Sequence, residues 1–594
     1  MRRFLPLAAA LVSGLATALS LPLVVPAISI RELDPAGRLE LVAFVSLVPA
    51  FLALRGFRRA LGAALLGLVA GLAYFFAAIY WVSHAMTAFG GLSMGLSLIA
   101  LTLLVGYMAV HWALAFGVAG HLRVRFGWPL WVVLPPAWAG AELLRNYLFS
   151  GFPWADLGYT QVRTLALAQL ASLTGVYGIA ALVVLVNAVL AELLAAVWEK
   201  RPLPRAGPAV AAALLLLSLA YGRSHLRKVR EEMAAAPSME VGLVQPNIDQ
   251  SRNNSRAEHE SYILDRLVGP TLEADRAGAD LVVWPEAAYP LEVPPGVASF
   301  EVPRAGLPQL TRAHLLLGAP TLEFFRDEEG RRLPRVGNML FLLDRKLRVL
   351  DRYQKIHLVP FGEYVPAAVH TLFPFLRQIV PTMVAVSPGR LYTVLSFEPE
   401  AAPAGEVPAR AASAKAGAGG TRPADPPALD PVRLAPLICY DAIFPEIVRT
   451  FMEERPAPDV LVNSTNDAWY GYSSGPYQFL AIVQMRAIEA RRAVIRSAYA
   501  GVSALILPTG ELAPGALEVG PVDPVLSPDR NEPAHLLLAR VPRLRGATVY
   551  TRIGDLFAYA CVLFTALALG AARLRRPRAP AFPPGEPTPE HPRS

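Results

Sequence analysis

Long apolar stretches dominate the first third of the chain and return once near its end. An apolar helix of about 20 residues crosses roughly 30 Å of hydrocarbon. Stretches of suitable length lie at about residues 4–22, 39–55, 60–84, 91–117, 128–147, 166–197, 207–222 and 553–573. The fifth is the weakest because Glu142 and Arg145 interrupt it. The pattern predicts about seven membrane helices before a large polar segment and one after it.

A different pattern fills residues 223–550, where short β-branched runs alternate with longer helical repeats. Strand candidates are residues 239–247, 279–284, 315–318, 338–343, 349–353, 434–439, 460–463, 493–498 and 503–507. Apolar residues recur with helical spacing within residues 261–275 and 478–491. Strands that alternate with helices in this way predict a layered α/β domain.

Two segments have compositions that do not support a packed core. Residues 398–432 are rich in Ala, Pro and Gly, and we interpret them as a flexible surface insertion. The tail at residues 577–594 is rich in proline and polar residues, and we expect it to be disordered. The prediction is therefore a membrane domain at 1–222, an α/β domain at 223–550 and a last membrane helix at 551–576, followed by this tail.

Composition and charge favour a membrane protein. The 594 residues are 54% hydrophobic and 17% charged, which is too apolar for a purely soluble protein. Lys and Arg cluster in alternate loops, so the positive-inside rule places both termini in the cytoplasm and the α/β domain outside it. We assign the net charge of +8 to membrane anchoring, because the sequence has no basic patch with interleaved aromatic residues that would predict nucleic-acid binding.

Three residues in unusual local settings carry the candidate chemistry. Cys439 ends an apolar run, and the second of the two cysteines, Cys561, lies in the last apolar stretch, so a disulfide between them is sterically implausible. Glu286 follows Val-Trp-Pro at 283–285. Lys355 lies in the unusual run at 353–366. Each of the three lies at or just past the end of a predicted strand.

Together these side chains predict a nucleophile set. A thiol attacks as its thiolate, so Cys439 needs a base or a cation nearby. Glu286 can accept the proton, and Lys355 can lower the thiol pKa and balance the charge of a tetrahedral oxyanion. Sites gather at the carboxyl ends of strands in layered α/β domains. Taken singly, each residue is more often a packed or solvated structural residue, and spacing alone does not establish that they meet.

Four motifs give the chain a resemblance to a known family. They are W-P-E at 284–286, Y-x-K-x-H-L-V-P-F-G-E-Y-V-P at 353–366, C-Y-D at 439–441 and N-x-x-N-D-A-W-Y-G at 463–471. In this order, and with the arrangement of spans, they resemble the bacterial apolipoprotein N-acyltransferases, the membrane branch of the nitrilase or carbon-nitrogen hydrolase superfamily. The resemblance implies a multi-span helical membrane domain joined to an extracytoplasmic αββα sandwich.

The resemblance also implies roles for the three candidate residues. Glu286 is expected to be the general base, Lys355 the stabiliser of the tetrahedral intermediate and Cys439 the nucleophile that accepts the acyl group. Glu363 is expected to be a supporting carboxylate near the lysine.

Further positions match the family less closely. Tyr440 and Trp469 match aromatic positions around the nucleophile and the substrate entrance. Asp441 is a departure, because the family usually has Glu after Cys-Tyr, and Asn253 and Asn254 stand where a Lys-Trp pair is common.

The implied reaction is a transfer in two steps. A fatty acyl group moves from a glycerophospholipid to a cysteine thioester, and from there to the N-terminal α-amino group of an S-diacylglyceryl-cysteine in a lipoprotein. The resemblance implies a multi-pass protein of the bacterial inner membrane with a periplasmic catalytic domain. Membrane lipids and apolipoproteins are the expected partners; we expect no cofactor, no metal and a monomer.

Two rival functions stay open at this level. The first is a membrane-tethered amidase of the nitrilase type that hydrolyses a small amide with the same three residues. The second is a transporter or receptor whose extracytoplasmic domain only binds a ligand. Few charges lie within the spans, which gives little sign of a transport path.

Overall fold

The computed structural model describes residues 4–22, 38–88, 90–248, 259–301, 306–326, 329–360, 362–364, 386–399, 430–471, 473–519 and 534–574. Most of the predicted insertion at 398–432, the tail at 577–594 and the Asn253–Asn254 pair lie outside the described residues.

Helices make up the N-terminal part of the molecule. They are α1 (Leu5–Ala18), α2 (Ala43–Ser46), α3 (Val48–Leu54), α4 (Ala60–Ile79), α5 (Val82–Ala88), α6 (Met94–Phe126), α7 (Leu130–Tyr147), α8 (Leu165–Ala168), α9 (Ala171–Thr174), α10 (Val176–Trp198) and α11 (Ala206–Ala235). Short 3₁₀ turns lie at Leu39–Val42, Leu148–Ser150 and Leu157–Gln161. Among the described helices, α4, α6, α10, α11 and the later α16 (Leu556–Leu574) are long and apolar enough to cross a membrane.

Three of the predicted spans are broken rather than continuous, and one of them, the stretch at 60–84, divides into α4 and α5. The stretch at 39–55 divides into a 3₁₀ turn, α2 and α3, and Asn187 of α10 lies at the break. Its side chain accepts a hydrogen bond from the Leu47 N–H at 2.8 Å and donates to the Ala43 carbonyl at 2.7 Å. Backbone groups freed inside an apolar domain need such partners. In the stretch at 166–197, Gly175 at φ 62° separates α9 from α10.

The predicted domain limit at residue 222 falls inside a helix. Apolar character ends there, but α11 continues to Ala235 through Arg and Glu residues. These residues have good helix propensity, so the hydropathy pattern marks the end of the apolar part and not the end of the helix.

Two six-stranded sheets form the centre of the second part. The strands are β1 (Ser238–Gln245), β2 (Leu281–Val283), β3 (His314–Arg326), β4 (Arg332–Leu343), β5 (Val349–Gln354), β6 (Leu395–Phe397), β7 (Val432–Ile438), β8 (Val460–Thr465), β9 (Ala493–Ala498), β10 (Gly501–Ile506), β11 (Leu517–Val519) and β12 (His535–Pro542). The sheet orders are β12-β1-β2-β3-β4-β5 and β11-β10-β9-β8-β7-β6.

The sheets face each other, and helices cover them outside. The remaining helices are α12 (Glu260–Arg276), α13 (Pro445–Glu453), α14 (Gly475–Ala490), α15 (Val549–Ile553) and α16. Helix α12 packs on β1 and β2, α14 packs on β9 and β10, and β1 contacts β9 and β10 across the centre. This arrangement confirms the predicted αββα sandwich. Strands β1, β2 and β3 are mutually parallel, as are β7, β8 and β9.

Polar contacts join the sandwich to the helical part. Arg449 of α13 forms an ion pair with Asp555, at the start of α16, at 2.9 Å. The hydroxyl of Tyr147, at the end of α7, donates to the same carboxylate at 2.8 Å. The Arg449 guanidinium also donates to the Tyr550 hydroxyl at 2.7 Å. The two parts are therefore joined by partly buried, charge-assisted hydrogen bonds as well as by apolar packing.

Gly318 in β3 gives the first test of this architecture. A Cβ at this position would overlap the carbonyl oxygen of Pro285, which lies in the loop that carries Glu286. We expect Gly318→Ala to destabilise the protein by about 1–3 kcal/mol, as overpacking generally does. Thermal unfolding in detergent measures the change. Gly269→Ala on α12 is the control, because a Cβ added there would meet no atom within 4 Å. Equal melting temperatures for Gly318→Ala and the parent would contradict the packing described.

Candidate active site

The loop that follows β2 places Glu286 at the edge of the first sheet. The Trp284 backbone N–H donates to the Leu316 carbonyl at 2.9 Å, and its indole N–H donates to the Thr271 hydroxyl at 2.8 Å. These bonds fix the chain just before the carboxylate. Glu286 is 6% exposed, and its Oε1 accepts a hydrogen bond from the Asn338 side chain at 2.8 Å. Its other oxygen, Oε2, accepts from the backbone N–H of Asn466 at 3.1 Å.

Lys355 lies directly after β5 and points its ammonium at two carboxylates. The backbone N–H of Lys355 donates to the Asn338 carbonyl at 3.0 Å, which continues the pairing of β4 with β5. Its Nζ lies 2.9 Å from Glu286 Oε1 and 2.9 Å from Glu363 Oε1. Lys355 is 1% exposed. An isolated buried ammonium is costly, so these two partners are needed to keep it charged.

Glu363 is held in place by the backbone of its own loop. Its Oε2 accepts a hydrogen bond from the Val359 N–H at 2.8 Å, and its N–H donates to the Val359 carbonyl at 2.9 Å. The carboxylate therefore closes a short turn and at the same time contacts the lysine. The family resemblance implied a carboxylate near the lysine at this position, and Glu363 Oε1 lies 2.9 Å from Lys355 Nζ.

Cys439 follows β7 on the second sheet and has unusual backbone geometry. Its φ is 47°, in the left-handed region that residues other than glycine rarely adopt. The residue begins a 3₁₀ turn, Cys439–Ile443, and is buried. Outliers of this kind cluster at active sites, where the surrounding structure holds the strained residue in place.

The charges around Cys439 couple it to the other two residues. Burial and the negative charge of Glu286 raise the pKa of the Cys439 thiol, whereas the Lys355 ammonium and a hydrogen bond with Thr465 lower it. Burial alone would lower the pKa of Lys355, but Glu286 and Glu363 raise it well above its usual value. The resting site therefore holds a neutral thiol and a charged ammonium. A base is then required to generate the thiolate, and Glu286 is the carboxylate whose charge acts most strongly on the thiol.

Asp441 links the strand end that carries the cysteine to the chain that follows the lysine. Its Oδ1 accepts from the His357 N–H at 2.7 Å. Its Oδ2 accepts from the Ile438 N–H at 3.1 Å and from the Tyr353 hydroxyl at 2.9 Å. The shorter carboxylate at this departure from the family pattern thus bridges β5 and β7. Burial raises its pKa to about 7, against the lowering effect of the His357 N–H.

The two aromatic candidates differ in their surroundings. Tyr440 is buried, and its ring centroid lies 5.1 Å from that of Phe444 and 6.1 Å from that of His357. Trp469 lies in a 3₁₀ turn, Asp467–Tyr470, after β8 and is 38% exposed. Tyr440 therefore belongs to the packed wall beside the nucleophile, while Trp469 is on the outer side of its turn.

Several residues of the site were not identified from the sequence. Asn338 and the Asn466 N–H hold Glu286, and neither had been assigned a role. Asp467, in the turn after β8, forms an ion pair with Arg496 of β9, and both side chains are fully buried. Asn466 and Asp467 belong to the motif at 463–471, so this motif could have indicated that both residues lie at the site. For Asn338 and Arg496 the sequence held no signal, since neither stands in a distinctive local pattern.

The described residues contain no group of three or more His, Cys, Asp or Glu side chains arranged to hold a metal ion. The reactive groups that the described site brings together are the acid, the amine and the thiol.

Two family models match the chain and agree with this architecture. The model of the apolipoprotein N-acyltransferase N-terminal domain matches residues 5–189, and that of the carbon-nitrogen hydrolases matches residues 240–520. A crystal structure of an amidase from Nesterenkonia sp. is 19% identical with a TM-score of 0.31, covering 54% of this chain and 95% of the amidase. The fold and the matched domains define a membrane protein with a carbon-nitrogen hydrolase domain.

Two similar proteins that align over most of the chain identify the family within this class. The apolipoprotein N-acyltransferase of Geobacter metallireducens is 34% identical over 91% of this chain and 93% of its own length. That of Brucella suis is 32% identical over 80% of this chain and 81% of its own length. The chain belongs to the apolipoprotein N-acyltransferase family. It is an acyltransferase rather than the amidase or the transporter considered above, and its reaction involves a lipid donor and a lipoprotein acceptor.

The raised pKa of Asp441 predicts a pH-dependent contribution to stability. Because its pKa of about 7 exceeds the ordinary value of about 3.9, the folded state holds the proton more tightly. The stabilisation is complete below the unfolded pKa and is lost as the pH rises through about 7. The melting temperature of the parent should therefore fall relative to that of Asp441→Asn between about pH 5 and pH 8.

A second carboxylate provides the control for this measurement. Hydrogen bonds to the Arg348 backbone and side chain lower the pKa of Asp344 despite partial burial. The stability that ionised Asp344 contributes is lost only in acid. The difference in melting temperature between the parent and Asp344→Asn should therefore stay constant over the same pH range. A constant difference for Asp441→Asn as well would show that Asp441 does not take up the proton.

Proposed function

We propose that Cys439 carries the acyl group between the two substrates as a thioester. The observation that supports this most strongly is the meeting of Glu286, Lys355 and Glu363 in hydrogen-bond contact, with the Cys439 thiol in electrostatic contact with the first two. A thioester intermediate divides one difficult aminolysis of an ester into two easier substitutions. Ping-pong kinetics follow from this scheme.

In the first half-reaction Glu286 accepts the thiol proton and the sulfur attacks an ester carbonyl of a glycerophospholipid. The C–S bond forms and a tetrahedral oxyanion develops. Lys355, which stays protonated, stabilises this charge. The ester C–O bond then breaks, the proton on Glu286 passes to the departing oxygen, and a lysophospholipid leaves.

In the second half-reaction the acceptor amine attacks the thioester. The α-amino group of the S-diacylglyceryl-cysteine forms the C–N bond, and Glu286 accepts one of its protons. The C–S bond breaks and an amide is released. The sulfur leaves as thiolate beside Lys355 and recovers its proton from Glu286. Acid, amine and thiol are thereby restored to their starting states.

The location that we propose is the periplasmic face of the bacterial inner membrane. Both substrates are anchored in a bilayer by acyl chains, so the reacting carbonyl has to be met at the level of the lipid headgroups. The contacts of Arg449 with Asp555 and Tyr550 fasten the catalytic domain beside the apolar helices. The distribution of Lys and Arg supports cytoplasmic termini. A monomer and the domain limits given above remain predictions.

The acyl-enzyme gives a direct test of the nucleophile. Incubation with phospholipid alone should add one acyl mass to the protein, and hydroxylamine should remove it because thioesters are cleaved by this reagent. Cys439→Ala should form no adduct. Cys561→Ser is the matched control and should be acylated like the parent, since Cys561 lies in α16 away from the acid and the amine. An adduct that survives in Cys439→Ala would assign the nucleophile to another residue.

The second carboxylate on the lysine gives a further test. Glu363→Gln removes one of the two negative charges that hold Lys355 and leaves the ammonium free to move toward Glu286. We expect the rate of adduct formation to fall by about 10-fold to 100-fold, as for other misplaced catalytic groups. Glu323→Gln is the control, because this exposed carboxylate pairs with Arg335 on the surface. Equal rates of adduct formation for Glu363→Gln and the parent would show that Glu363 does not contribute to acylation.

A further inference from the structure

Gln478 occupies the boundary between the catalytic domain and the membrane domain. It lies in the first turns of α14 and is 4% exposed. Its Oε1 accepts hydrogen bonds from the indole N–H of Trp154 at 2.9 Å and from that of Trp81 at 3.3 Å. Its Nε2 donates to the carbonyl of Ala78, in the last turn of α4, at 3.0 Å. A single amide of the catalytic domain thus holds two tryptophans and a helix end of the membrane domain.

The two tryptophans pack against Tyr470 of the catalytic domain. The ring of Trp81 lies 4.8 Å from that of Tyr470, nearly perpendicular to it, and the ring of Trp154 lies 6.1 Å away. Aromatic pairs at these separations attract each other. Burial raises the pKa of Tyr470 well above its usual value, and the Cys439 thiolate, once formed, raises it further. Tyr470 is therefore within electrostatic reach of the nucleophile as well as in contact with the membrane domain.

The same short loop reaches the general base at its other end. It begins at Asn466, whose backbone N–H donates to Glu286 Oε2, and it ends at Tyr470. Between them Asp467 is paired with Arg496 and accepts from the Thr465 hydroxyl at 3.2 Å. One end of the loop thus orients Glu286, and the other end is held by tryptophans of the membrane domain.

We propose that Gln478 is a positioning residue through which the membrane domain aligns the catalytic loop, acting by way of Trp81, Trp154 and Tyr470. The membrane domain then does more than anchor the enzyme, because it completes the site. The proposal rests on the proposed acyl-enzyme, since its effect is measured as the rate at which Cys439 is acylated.

The chemistry of the side chain explains why an amide suits this position. Two N–H donors converge on one carbonyl oxygen, whose two lone pairs can accept both, while the NH₂ group serves the helix carbonyl. An apolar residue of similar size would leave the indole N–H groups unsatisfied in a buried place, which is costly. A carboxylate in its charged form could accept both bonds but could not donate to Ala78.

The experiment compares three variants with the parent: Gln478→Met, Trp154→Phe and the double variant. Single-turnover acylation by phosphatidylethanolamine in detergent micelles is followed by intact mass. Each single change should lower the rate at saturating phospholipid by about 10-fold or more, with the half-saturating concentration changed by less than about twofold. Because both changes break the same hydrogen bond, the double variant should be little slower than the slower single one.

Gln484→Met is the matched control. Gln484 lies on the same helix and donates to the Gly510 carbonyl at 2.7 Å, away from the tryptophans. Gln484→Met also loses a hydrogen bond from a side-chain amide to a backbone carbonyl. A general destabilisation of α14 would therefore slow Gln478→Met and Gln484→Met equally. We expect Gln484→Met to acylate within about twofold of the parent.

The possible outcomes separate this proposal from the proposed function. No adduct on the parent would overturn the acyl-enzyme itself. An adduct on the parent, with an unchanged rate in a folded Gln478→Met or with additive effects in the double variant, would overturn the role of Gln478 alone. If Gln478→Met does not fold, Trp81→Phe and Trp154→Phe each remove one N–H donor while keeping an aromatic side chain, although a smaller one. Parent-like rates in both would likewise overturn it.

Discussion

The buried ammonium of Lys355 is the constraint on which the site depends. It lies at 2.9 Å from each of two carboxylates and is almost fully shielded from solvent. Taking such a charge out of water costs several kcal/mol unless partners surround it. Glu286 and Glu363 supply those partners, and the lysine in turn moderates the pKa of Cys439. The segments that carry Glu286, Lys355 and Glu363 therefore have to meet at one edge of the first sheet.

The position of the site follows from the same arrangement. Glu286, Lys355 and Cys439 follow β2, β5 and β7, and Asp441 bridges the chain after β5 to the end of β7 through three hydrogen bonds. Helices of the membrane domain lie against the loop after β8, at Trp81 and Trp154. These contacts place the loop after β8 beside the apolar helices, which suits the proposed reaction between two lipid-anchored substrates.

Much of this could be predicted from the sequence, because local patterns marked most strands and four motifs resembled those of a known family. Glu286, Lys355 and Cys439 each follow an apolar strand pattern, and periodicity located nine of the strands. Strands β6, β11 and β12 were missed, since the first two have three residues each and β12 is defined by its pairing with β1. Asn338, Arg496 and Gln478 were not recognised because their roles come from residues distant in sequence. The break at Gly175 and the continuation of α11 past 222 depend on backbone geometry that hydropathy does not contain.

The pH dependence of Cys439 alkylation tests the central claim most directly. In a Cys561→Ser background only Cys439 can react with iodoacetamide, so the rate reports its thiolate fraction. Because Lys355 lowers the pKa of Cys439, Lys355→Met should raise the apparent pKa, and each unit means about tenfold slower alkylation at neutral pH. Lys346→Met, at an exposed turn, should leave the profile unchanged. Identical profiles for the parent and Lys355→Met would show that the lysine and the thiol do not share a site.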